Sequence, residues 1–141
     1  MTPDQVKAIQ ESFAKVAPIS QQAAALFYGR LFEIAPEVKP LFHGDMEEQG
    51  RKLMGTLAVV VNGLSNLGAV LPAASALAKR HVEYGVKAGD YAPVGAALLW
   101  TLEQGLGAHW TPDLAAAWSA AYTLLSEYMI GEAYGRSAAA E

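Results

Sequence analysis

Cysteine is absent from the 141 residues, which excludes disulfides, thiolate nucleophiles and thiolate ligation of a metal, and leaves the redox compartment open. Charge is sparse as well: Lys, Arg, Asp and Glu make up 17% of the chain, and the net charge is a mild -4. The ten basic residues are scattered from Lys7 to Arg136 without a stripe or cluster, so the footprint of a nucleic-acid partner is missing. Long apolar runs are missing too. They are interrupted at Asn62, Glu103 or Ser126, well short of the roughly 18 to 20 residues that span a bilayer, and no membrane insertion is expected. The start, MTPDQVKAIQ, lacks the positive charge and apolar stretch of a secretory signal. A soluble, cytoplasmic protein is the resulting expectation.

Catalytic signatures are equally scarce. The chain has no HExxH, no GxSxG, no glycine-rich phosphate loop after a strand and no calcium-binding loop pattern. A di-iron bundle needs Glu-x-x-His pairs on facing helices, and no such pair exists. Glu33, Glu37, Glu47 and Glu48 read as solvated helix ends rather than as a carboxylate pair.

What is present is helical periodicity in a chain that is 52% hydrophobic. The length suits one domain with a single core, expected over residues 1–134, with GRSAAAE at 135–141 as a frayed tail. Thr2, Pro3 and Gln5 open a helix that runs toward Ala17 with Val6, Ile9, Phe13 and Val16 on its apolar stripe. Ser20 is expected to cap a second helix, which carries Leu26, Phe27, Leu31 and Ile34, with Tyr28 at the edge of the stripe, before Pro36 stops it. PEVKPLF forms a short helical turn that delivers Phe42 to a loop. Asp45 with Glu48 reads as a second reciprocal cap, and the helix behind it places Gln49, Leu53, Leu57, Val60 and Leu64 on one face. Pro72 is expected to start the next helix, Lys87 to Asp90 is a turn, and Asp90 or Tyr91 leads into another helix. Thr111-Pro112-Asp113 opens the last one.

The stretch from Pro72 to Gly95 carries the chemistry. Leu77 and His81 are four residues apart and stack on one helix face, with Ala73 before and Tyr84 or Gly85 after, while Lys79, Arg80, Glu83 and Lys87 point mostly elsewhere. An imidazole on an apolar helix face is a candidate ligand to haem iron. On this stretch alone the plainer reading, a partly buried histidine bonded to a carbonyl, stands ahead, and both stay open.

The blocks FYGRLFEIAPEVKPLF at Phe27 to Phe42, EQGRKLMGTL at Glu48 to Leu57, NLGAVLPAASALAKRH at Asn66 to His81, YAPVG at Tyr91 to Gly95 and AWSAAY at Ala117 to Tyr122 decide between them. In this order and spacing the chain resembles bacterial single-domain globins and the haem domains of flavohaemoglobins. The resemblance implies an all-α globin fold of about seven to eight helices enclosing one haem b with its iron. It implies that His81 is the metal ligand, that Phe42 packs on the porphyrin, and that Leu53, Leu77, Val86, Tyr91 and Val94 complete the cofactor-binding set. On the distal side, where a diatomic ligand binds, it implies Tyr28, Gln49 and Leu53.

The implied function is reversible, high-affinity binding of oxygen for storage or transport. Oxygen on ferrous iron carries partial negative charge, which the Tyr28 hydroxyl and the Gln49 amide can both meet with hydrogen bonds. At about 0.5 to 1.5 kcal/mol each, two such bonds slow oxygen loss by roughly one to two orders of magnitude. Gln49 stands where a second histidine would close the iron on itself, so bis-histidine ligation by that route is not expected. His43, Arg80 and Lys52 are candidates for haem propionates or for plain solvation. The alternative function is nitric oxide dioxygenation with a separate reductase, and a sensor or partner-binding role is a third. In flavohaemoglobins the proximal histidine is also backed by a tyrosine and a glutamate. Tyr91 matches the tyrosine, but the glutamate position falls on Ala133, with Glu132 one residue earlier and about 100 degrees round the helix. That departure weighs against the enzyme.

Overall fold

The computed structural model describes residues 2–42, 44–83 and 86–134. Thr2 accepts a hydrogen bond from the Gln5 N–H at 3.1 Å while the Gln5 side chain accepts one from the Thr2 N–H at 3.0 Å. With Pro3 in the first turn, this reciprocal cap starts α1 (Pro3–Val16) as expected. Ser20, by contrast, does not cap the second helix. A 3-10 turn over Ala17–Ile19 carries the chain on in helical conformation, and α2 (Ser20–Ile34) begins with Ser20 already inside it. The Ser20 N–H bonds back to the Ala17 carbonyl, so no side-chain oxygen is needed there.

Ala35 leaves the helical region before Pro36, whose ring disfavours helix at the residue ahead of it. A 3-10 segment, Pro36–Leu41, follows and hands Phe42 on in extended conformation. Asp45 caps α3 (Met46–Gly63) by accepting from the Glu47 N–H at 2.9 Å. The expected return bond from Glu48 gives way to an ion pair with Lys52 at 3.7 Å, so this cap is one-sided. A second correction concerns Pro72. After a 3-10 turn at Leu64–Asn66, α4 spans Leu67–Glu83 and Pro72 lies within it, not at its start. Pro72 and Gly68 are both exposed, so water can take up the Gly68 carbonyl that a proline cannot satisfy.

The Asp90 carboxylate accepts from the Lys87 N–H at 2.9 Å and organises a 3-10 turn at Ala88–Asp90, which feeds α5 (Tyr91–Leu106). Gly107, at φ +53, ends α5. Thr111 accepts from the Leu114 N–H at 3.1 Å and opens α6 (Pro112–Tyr134). The described residues therefore hold six α-helices, one or two fewer than the seven to eight expected, with five short 3-10 segments between them and no strand.

α2 packs most extensively on α5, and α4 on α6. Ile9, Val16 and Leu31 are fully buried at the centre of the larger of two apolar clusters, which unites α1, α2, α3, α5 and the first half of α6. Burial of each such side chain contributes about 1.5 to 3 kcal/mol. Trp118 belongs to this cluster and donates its indole N–H to the Ser12 hydroxyl at 2.9 Å, joining α6 to α1. The smaller cluster, Ala74, Ala78, Tyr91 and Met129, lies where α4 meets α6. No helix of the described residues is long and apolar enough to cross a membrane.

Candidate functional site

α3 and α4 approach closely near their junction, where a side chain at Gly63 would collide with Val70. Beyond that corner both helices carry incompletely covered side chains. Gln49, Leu53 and Leu57 on α3 and Leu77 and His81 on α4 are all half-buried, as are Phe42, Val86 and Val94. Only Tyr28 and Tyr91 of the expected site residues are buried. Phe42, Leu53 and Val94 pack against the larger cluster, while Leu77, Val86 and Tyr91 belong to the smaller. The expected set therefore spans both clusters. Half-covered apolar side chains drawn from both clusters are what a flat hydrocarbon ring system would cover.

His81 is oriented by its own helix. Its Nδ1 lies 2.7 Å from the Leu77 carbonyl; a carbonyl only accepts, so Nδ1 is the donor of this bond. Such a bond fixes ring direction and raises ligand basicity at metal-bound histidines. Tyr91 stacks beside the imidazole with ring centroids 6.3 Å apart and planes 26° apart. The carbonyl bond is the one that the plainer of the two readings of His81 expected, and it engages Nδ1.

On the other side, the Tyr28 hydroxyl donates to the main-chain carbonyl of Gln49 at 3.3 Å, a long bond that spans α2 and α3. Burial pushes the Tyr28 phenol up to about 12, so it remains a proton donor through the physiological range. The geometry brings Tyr28 and Gln49 together. Imidazole and half-covered apolar side chains fit a haem, with Phe42, Leu53, Leu77, Val86, Tyr91 and Val94 as the residues that would hold it and His81 as the iron ligand. His43 lies outside the described residues, as do Tyr84, Gly85 and the expected frayed tail at 135–141. Arg80 is exposed, and Lys52 is engaged with Glu48. A surface cleft of about 270 Å³ lined by Phe13, Ala17, Ser20, Arg51, Met54, Gly55 and Ala58 contains none of these residues.

Two contributors escape the sequence. Tyr122 on α6 donates to the Tyr91 carbonyl at 2.7 Å, holding the start of α5 beside His81; burial, then the neighbouring Tyr91, raises its phenol far above the usual range. Phe32 stacks on Tyr28 with centroids 6.0 Å apart, and its i,i+4 spacing from Tyr28 was the available signal. Glu132 accepts from the Ser75 hydroxyl at 2.8 Å and from Tyr128 at 3.3 Å, so its carboxylate is engaged with α4 and its own helix.

A globin family model matches residues 25–129. The chain belongs to the globin family. This globin is 32% identical to a flavohemoprotein of Bordetella parapertussis over 99% of its own length and 36% of that relative's. It is 30% identical to a flavohemoprotein of Rhodopirellula baltica, covering 89% of itself and 32% of the relative. The globin thus spans about a third of the length of these curated relatives. A bacterial globin from Campylobacter jejuni superposes with a TM-score of 0.81 at 24% identity, over 99% of this chain and 100% of that one, and shares its fold. Membership in the family implies a haem cofactor.

Proposed function

We propose that this globin binds molecular oxygen reversibly and with high affinity, as a store or carrier. The observation that supports this best is the Tyr28 hydroxyl, kept protonated by burial and held 3.3 Å from the main chain of Gln49. Haem, when bound, supplies a ferrous iron that takes up diatomic ligands. With no cysteine available for thioether links, the group is held non-covalently as haem b. His81 presents Nε2 as the iron ligand, its ring direction fixed through Nδ1 and the Leu77 carbonyl. Turning its single hydroxyl proton from the long bond to the Gln49 carbonyl toward a diatomic ligand, Tyr28 joins the Gln49 amide as a donor that favours a ligand with partial negative charge, which oxygen develops far more than carbon monoxide does. Leu53 and Phe42 exclude water from the same space.

Replacing Tyr28 by Phe removes one donor at little change in volume. Oxygen dissociation should quicken by about two- to tenfold, from a net bond of about 0.5 to 1.5 kcal/mol, while carbon monoxide dissociation stays the same. An unchanged oxygen rate would remove Tyr28 from this role. The flavohemoprotein relatives favour one second reading, consumption of nitric oxide as a dioxygenase with electrons from a separate reductase. Sustained nitrate formation under a supply of reductant and reductase separates that enzyme from a store. A single turnover does not.

A further inference from the structure

We infer that Phe32 is a positioning residue of the distal site: it fixes the Tyr28 ring so that the hydroxyl meets the first turn of α3, and so governs oxygen release through Tyr28. The inference rests on the proposed role of Tyr28 as a hydrogen-bond donor. Tyr28 and Phe32 are four residues apart on α2, and their rings stack with planes 26° apart and centroids 6.0 Å apart. Phe42, arriving from the 3-10 segment Pro36–Leu41, closes the group edge-on: it stands 5.3 Å from Tyr28 at 70° and 5.4 Å from Phe32 at 65°. Each of the three rings touches the other two, an arrangement of offset and edge-to-face pairs that their quadrupoles favour.

The same 3-10 segment supplies a further tie to Phe32. Lys39 places its Nζ over the Phe32 ring, 5.9 Å from the centroid. Phe32 is therefore gripped by α2 and by the segment that delivers Phe42, and it is only half-buried, so its removal leaves the centre of the core intact. The tip of Tyr28 has no comparable grip. Its bond to the Gln49 carbonyl is 3.3 Å long and sits on an oxygen already in a helix, so the direction of the phenol is set at the ring, by Phe32 and Phe42, more than at the hydroxyl. Phe42 also belongs to the expected haem contacts. Phe32 does not, which makes it the separable member of the group.

Phe32→Leu keeps apolar volume and removes the stacked ring; Phe32→Tyr keeps the ring. In the haem-loaded protein, Phe32→Leu should speed oxygen dissociation measurably and by no more than the roughly two- to tenfold of Tyr28→Phe, through which it acts, with carbon monoxide dissociation unchanged and Phe32→Tyr close to wild type. A merely structural role would alter both ligands together. A second readout needs no haem: in protein labelled with 3-fluorotyrosine, the fluorine resonances assigned to Tyr28 by the Tyr28→Phe variant should be split by slow ring flips in wild type and averaged in Phe32→Leu. Equal oxygen rates in wild type and Phe32→Leu, together with unchanged fluorine spectra, would overturn the inference while leaving Tyr28 in place. If Tyr28→Phe itself leaves oxygen dissociation unaltered, the role of Tyr28 fails first.

Discussion

Two glycine-to-alanine exchanges in helices should move stability in opposite directions. Gly95 lies in α5 beneath the ring of Tyr122: a Cβ there would stand 2.6 Å from Cε2 and 2.8 Å from Cδ2 of that ring, where ordinary contact starts at 3.4 Å. The ring must retreat by roughly 0.8 Å, and retreat stretches the 2.7 Å bond from its hydroxyl to the Tyr91 carbonyl. Overpacking of this kind costs about 1 to 3 kcal/mol, and the weakened hydrogen bond adds about 0.5 to 1.5 kcal/mol. Alanine returns about 1 kcal/mol through helix propensity. Gly95→Ala should therefore destabilise by about 0.5 to 3.5 kcal/mol net, a fall of roughly 1 to 14 °C in Tm. Gly29 lies in α2 with nothing within 4 Å of its would-be Cβ, so Gly29→Ala collects the propensity alone and should raise Tm by a few degrees. Thermal and urea unfolding of both variants, with Gly95→Ala repeated in a Tyr122→Ala background, provides the assay. Removal of the ring should abolish most of the cost. Parallel shifts in the two glycine variants, or a cost that persists without Tyr122, would refute the reasoning.

Other outcomes follow from the same contacts. Tyr28, raised to about 12, binds its proton more tightly in the folded state than at the ordinary value of 10.0. The stability this contributes, at most about 3 kcal/mol, is fully present below pH 10 and lost as pH rises toward 12; urea midpoints across that range should fall, and fall less in Tyr28→Phe. Ser12→Ala strands the buried Trp118 indole N–H, 2.9 Å from the lost hydroxyl, and should cost about 1 to 3 kcal/mol by chemical denaturation; an unchanged midpoint would contradict that bond. His81→Ala should keep the helical circular dichroism signal and lose haem on gel filtration, whereas full retention would exclude His81 as the main ligand.

The sequence made some of this visible because some of it is local. Gln49 and Leu53, and Leu77 and His81, are each four apart, and helical geometry alone puts each pair on one face. The caps at Thr2 and Thr111 involve oxygen and N–H groups three residues apart, so they too can be read by eye. Ser20 and Pro72 mislead for a shared reason. Each is a local start signal, but the neighbouring backbone was already helical and supplied the bonds, so the signal had nothing left to satisfy. Tyr122 and Tyr91 are 31 positions apart and meet only because α6 packs on α5. The ring group of Tyr28, Phe32 and Phe42 needs the fold-back of the 3-10 segment after Pro36, which periodicity does not encode. Glu132 shows the reverse: its offset from the expected position was legible, but its engagement with Ser75 on α4 was not.

The central claim, a globin that carries oxygen on a haem held by His81, is tested most directly by the visible absorption spectrum of the haem-loaded ferrous protein cycled between argon and oxygen. We predict stoichiometric haem uptake, an oxygenated spectrum that persists in air, and return to the deoxygenated form each time oxygen is withdrawn. Failure to take up haem, or rapid conversion to the ferric form on first contact with oxygen, would contradict it.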